Sequence, residues 1–135
     1  MIALLIASSI LAVVLFVSLI VLPVAFSTLS KENAGGFARN LFPKYHIVLF
    51  VASQIVWLLA YTPHLKPIAF ICSLIFAIHF LWLTPAITNA SDQGKIENFK
   101  KLHILSVINH LLVIAFYLVA ISIDLISFNL SIYQN

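Results

Sequence analysis

The chain has 135 residues, of which 63% are hydrophobic and only 8% charged, with a formal net charge of +3. Soluble domains carry about 25% charged residues, so this composition argues against a water-soluble enzyme, a nucleic-acid-binding module or a disordered chain. A mean hydropathy of +1.14 points instead to one small domain solvated by a lipid bilayer.

A helix needs about 20 predominantly apolar residues to cross the hydrocarbon core. The first such stretch runs from Ile2 to Phe26. No Lys or Arg precedes Lys31, so the basic n-region of a secretory signal is missing. The stretch reads as a retained transmembrane helix. The second span is expected over Tyr45 to Tyr61, the third over Pro67 to Thr88 and the fourth over Leu102 to Asp124. Pro23 and Pro85 stand near span ends, where they kink or stop a helix. Tyr133 in the uncharged tail is a candidate interfacial anchor. No internal repeat is evident.

The connections set the orientation. Lys31, Arg39 and Lys44 lie in the first, Lys95, Lys100 and Lys101 in the third, and only Lys66 in the second. By the positive-inside rule the first and third face the cytoplasm. The expected fold is therefore all-α, a four-helix transmembrane bundle with both termini on the outer side. Within the first connection, Phe37, Leu41 and Phe42 beside Arg39 and Lys44 suit either a short interfacial helix or a plain loop. Gly35 and Gly36 would let the chain turn there.

Polar groups inside spans are costly and mark candidate sites. At about 100° per residue, His103, Ser106, His110 and Tyr117 share one stripe of the fourth span, with Asn109 on its flank. On the second span His46, Ser53, Trp57 and Tyr61 share a stripe beside Gln54, and Cys72 and His79 share a face of the third. These boundaries place His46 and His103 near the cytoplasmic interface, and His79 and His110 deeper, at a common level. Two imidazoles at one depth could be axial ligands of a haem b, hold a transition metal or relay protons. They could equally hydrogen-bond to neighbours and fix helix register. His103 and His110 stand two turns apart, too far to share one ion. The single cysteine, Cys72, has no partner for a disulfide or a CxxC motif.

Other chemistries lack their residues. Glu32, Asp92 and Glu97 lie in connections and Asp124 near a span end, which argues against a carboxylate-driven pump or a hydrolase with paired acids. There is no phosphate-binding glycine loop, nucleophile elbow or HExxH.

Two stretches carry a resemblance. Gly36-Phe37-Ala38-Arg39-Asn40-Leu41-Phe42-Pro43-Lys44-Tyr45 leads into the second span. Leu83-Thr84-Pro85 is followed by Phe99, Leu102, His103, Ser106 and Asn109 in an F-x-x-LH-x-x-S-x-x-N pattern. The chain resembles the transmembrane protein 205-like family, an uncharacterised four-helix membrane domain. Ile104 stands where that family often has a small residue. The resemblance implies four spans and a cytoplasmic-side site around Arg39, Tyr45, His103, Ser106 and Asn109, without implying an activity. A bacterial inner membrane is the expected location, from that likeness and from the lack of an organellar presequence.

Three functions follow from these residues. The first is a non-enzymatic membrane protein whose His-lined cavity, with Arg39, Tyr45, His46, His103, Ser106 and Asn109, binds a ligand or ion or assists transport. The second is a haem or redox protein using His79 and His110. The third is a structural subunit, as a homo-oligomer or within a membrane complex.

Overall fold

Four long helices follow one another with almost no connecting chain. The computed structural model describes residues 1–133, with side chains as far as Ser127, so the expected anchoring by the Tyr133 side chain lies outside the described side chains. The helices are α1 (Ile2–Thr28), α2 (Lys31–Leu59), α3 (Leu65–Asp92) and α4 (Ile96–Tyr133). All four are long and apolar enough to cross a membrane, and no strand occurs among the described residues.

The polar segments turn out to be helical. Helix α2 begins at Lys31 rather than Tyr45, and α4 at Ile96 rather than Leu102. There is neither a long loop nor a separate interfacial helix after α1. The physical reason is that apolarity marks only the part of a helix that sits in lipid. Lys, Glu, Ala and Arg are good helix formers, and they extend α2 and α4 beyond the apolar stretch. The start of α2 is built for this. The Ser30 hydroxyl accepts the Asn33 N–H at 3.3 Å, and Glu32 lies in the first turn, where a carboxylate complements the helix dipole. At the far end of α3, Gly94 takes φ +64°. Its N–H donates to the Ser91 carbonyl, and the Lys95 N–H donates to that of Ala90. This pair of bonds closes the helix and favours glycine at the turning residue.

Both expected proline effects are milder than a stop. Helices α1 and α3 run on past Pro23 and Pro85 after a single wide turn, Val17–Val21 in α1 and His79–Leu83 in α3. Proline lacks an N–H and its ring crowds the carbonyl four residues back. The chain relieves this by bonding across five residues, Leu22 N–H to Val17 and Thr84 N–H to His79. Such π-type turns are rare, and they often occur at functional sites.

Helix α1 packs on α2 and α4, and α3 packs on the same two helices. The inward face of α1 is apolar, with Ala3, Ala7, Ile10 and Val14. The other three helices meet in inward-facing layers seven residues apart. His46, His79 and His110 form one layer, and Ser53, Cys72 and Tyr117 the next. A seven-residue repeat is the period of left-handed helix packing. Leu5, Leu19, Leu58, Leu81 and Leu111 point outward and are more than half exposed, as contact with lipid tails requires.

Candidate metal centre

The three histidines reach the same level because of where their helices begin and end. Helices α2 and α4 run parallel, and His46 and His110 lie 15 and 14 residues from their starts. Helix α3 runs the other way, and His79 lies 13 residues before its end. The Arg39–Asp92 ion pair ties these ends together. The interfacial level expected for His46, above His79 and His110, is corrected by the early start of α2, which carries His46 into the middle of its helix.

The imidazoles converge tightly. One nitrogen from each of His46, His79 and His110 lies within 4.8 Å of the other two. Ring centroids are 4.6 Å apart for His46 and His79, 4.7 Å for His79 and His110, and 5.4 Å for His46 and His110. His46 and His79 are each only 1% exposed. Phe42 stacks on His46 and Tyr45 on His110, which walls the cluster with aromatic rings.

Hydrogen bonds fix which nitrogens point inward. The Ser106 carbonyl, 2.9 Å from His110 Nδ1, can only accept, so Nδ1 carries the proton and Nε2 a lone pair. Thr84 Oγ1 lies 3.2 Å from His46 Nδ1, which leaves His46 Nε2 facing His110 Nε2 at 3.4 Å. This is long for a hydrogen bond. It matches the separation of about 3.3–3.5 Å that two nitrogens adopt around an ion with metal–nitrogen bonds of about 2.0–2.1 Å. An outer hydrogen bond on the non-ligating nitrogen is also the usual support of a metal-binding histidine.

His79 carries the strongest signal. Both its ring nitrogens are buried and have no hydrogen-bond partner among the described residues, and the Tyr45 hydroxyl is likewise buried and unpartnered there. Buried polar groups are nearly always paired, and an unpaired one costs about 1–3 kcal/mol. An imidazole kept in this state beside two inward-facing nitrogens is suited to a group the protein itself does not supply.

The wide turn before Pro85 places the Thr84 contact. Five residues along a regular helix would set Thr84 roughly 140° around from His79. The five-residue bond from Thr84 to His79 brings Thr84 back over that face, next to His46. Helical periodicity alone therefore misses Thr84, which the sequence marks only through the Leu83-Thr84-Pro85 stretch and its proline.

The other candidates divide. Tyr45 and His46 belong to the cluster, and Ser106 serves it through its carbonyl rather than its hydroxyl. Arg39 is half-exposed and engaged with Asp92 at the end of the bundle. His103 is exposed and stacks on Phe99, and Asn109 is half-buried and takes no part in holding the trio. Ser53 and Tyr117 meet one layer on, where the Tyr117 hydroxyl donates to Ser53 Oγ at 2.9 Å. The neighbouring Gln54 donates to Ser73 at 2.9 Å. Tyr61 of the same expected stripe is almost fully exposed.

No curated protein and no solved structure matches the chain. The transmembrane protein 205-like name gains no separate support, and the Phe99–Asn109 pattern lies beyond the residues matched by a family model. That match covers α1 from Leu5 onward, α2, α3 and the first residue of α4, and so includes His46 and His79. The chain belongs to the family described as a domain of unknown function, DUF4149, whose model matches residues 5–96.

Proposed function

We propose that this protein is a membrane metal-binding protein whose site is the His46–His79–His110 trio. The observation that carries the reading is His79, fully buried with two unpartnered nitrogens, facing a pair of imidazoles at ligand–ligand spacing. Three imidazoles are a donor set for copper, zinc, iron or nickel. The geometry favours a bare ion over a haem b held by His79 and His110. A porphyrin between these two would have to displace His46, whose ring contacts both. A purely structural subunit fits less well, because hydrogen-bonded register pins do not leave one member unbonded.

The test is metal content together with thermal stability. Protein purified in mild detergent without chelator is expected to carry, or to take up, one ion per chain. An ion that binds only the folded state stabilises it by about 4 kcal/mol at a thousandfold excess over its Kd. The melting temperature should therefore rise on loading. A protein that takes up no metal, or takes it up equally well without His79, would rule the site out.

The bundle sits in a cytoplasmic membrane, most simply a bacterial inner membrane, with the Arg39–Asp92 end inside and both termini outside. Six of the seven basic residues stand at that end, which is the support for this orientation. In a Cys72→Ser background, a cysteine at Lys95 should be shielded from an impermeant thiol reagent in intact cells and one at Lys66 labelled. The opposite pattern would invert the topology.

A further inference from the structure

The trio is electrically bare. The chain has four acidic side chains, and each lies far from the cluster along its own helix. Glu32 is 14 residues from His46, Asp92 is 13 from His79, and Glu97 and Asp124 are 13 and 14 from His110. At 1.5 Å per residue each separation is about 20 Å. Asp92 is moreover engaged by Arg39, and Asp124 accepts the Thr62 hydroxyl at 2.8 Å. Cys72, the one thiol, sits a full layer away, about 10 Å along α3. The charged side chains nearer the trio along α2, Arg39 and Lys44, are both positive. The donors are thus three neutral imidazoles with no anion beside them.

In a buried, apolar setting the solvation penalty of an ion grows with the square of its charge, and an unpaired buried charge is strongly disfavoured. A divalent ion here would leave two uncompensated charges among helices that face lipid. It would also meet only three nitrogen donors where zinc needs four ligands. It could meet both demands by gaining an anion at the loss of one proton, either a hydroxide left by a bound water or the phenolate of Tyr45, whose buried hydroxyl has no partner among the described residues. A monovalent ion that accepts three nitrogen donors needs neither. Alkali cations are monovalent but prefer oxygen donors, whereas imidazole suits copper.

Resting on the three-histidine site proposed above, we infer that the trio is selective for a soft monovalent cation, copper(I), over divalent zinc. Thr84 and Ser106 hold the two outer nitrogens so that the ion meets neutral donors, and uptake of copper(I) by the neutral trio releases no proton. Uptake of zinc would proceed with loss of one proton, from its water or from Tyr45.

The experiment titrates the detergent-solubilised full chain anaerobically, at about pH 7.5 and about pH 9, with copper(I) against a chromogenic copper(I) chelator and with zinc(II) against a zinc chelator. Copper(I) is expected to bind one per chain, at least a hundredfold more tightly than zinc(II), with an affinity that does not change between the two pH values. Copper X-ray absorption should show three nitrogen neighbours, a readout that does not depend on any variant folding. Thr84→Asp, which sets a carboxylate beside His46, should shift the affinity ratio at least tenfold toward zinc. Zinc binding as tightly as copper(I), with dependence on His79, would overturn the selectivity and leave the site standing. An unchanged ratio in Thr84→Asp, with that variant folded and loaded, would overturn the charge argument. Loss of neither metal in His79→Leu would overturn the site itself.

Discussion

His79→Leu is expected to make the metal-free protein more stable while abolishing its metal uptake. Leucine has a similar volume and no nitrogen to satisfy. Removing a buried imidazole with two unpartnered nitrogens should recover about 1–3 kcal/mol, the penalty of an unmet buried polar group. Metal affinity should fall by roughly a hundredfold or more, because one of three donors is gone. A thermal melt of metal-free protein and a metal titration of the same preparation measure the two effects. The opposite signs are the diagnostic feature. A residue whose only task was packing or register would lose stability on replacement, and stabilising substitutions that remove function are typical of sites under functional strain. A lower melting temperature for the metal-free variant would assign His79 a structural role.

Thr84→Val should weaken metal binding by about ten- to a hundredfold, the usual effect of removing an outer partner of a ligating histidine. Valine keeps the shape and deletes the hydroxyl that lies 3.2 Å from His46 Nδ1. His46 then loses the contact that turns Nε2 toward His110. The number of ions bound at saturation should stay at one, since all three imidazoles remain. A titration showing reduced stoichiometry with unchanged affinity would contradict this role. Thr84 owes its place to the wide turn before Pro85, so the variant also tests whether that turn serves the site.

Parts of the site were legible in the stripes. Cys72 and His79 share the inward face of α3, His110 and Tyr117 that of α4, and His46 and Ser53 that of α2, as periodicity of about 3.6 residues requires. His103 was legible only in part. It falls on the same stripe as His110, but the stripe leaves the bundle in the polar first turns of α4, where His103 is exposed. The depth of His46 was illegible, because hydropathy marks where a helix meets lipid rather than where it begins. Thr84 was illegible because a bond across five residues breaks the period on which the stripes rest.

The amino-acid sequence by itself determined the solvent, the number of helices and the level of His79 and His110. Those follow from apolar runs of membrane-spanning length and from the rise per residue of a helix. Only the tertiary structure decided that His46 joins them, that Ser106 acts through its carbonyl, and that His79, alone of the three histidines, has no hydrogen-bond partner among the described residues. Convergence of three side chains from three helices depends on helix starts, helix direction and one widened turn. These are set by capping at Ser30, by chain reversal at Gly94 and by the missing N–H of Pro85, and none of them alters the hydropathy from which the spans were read.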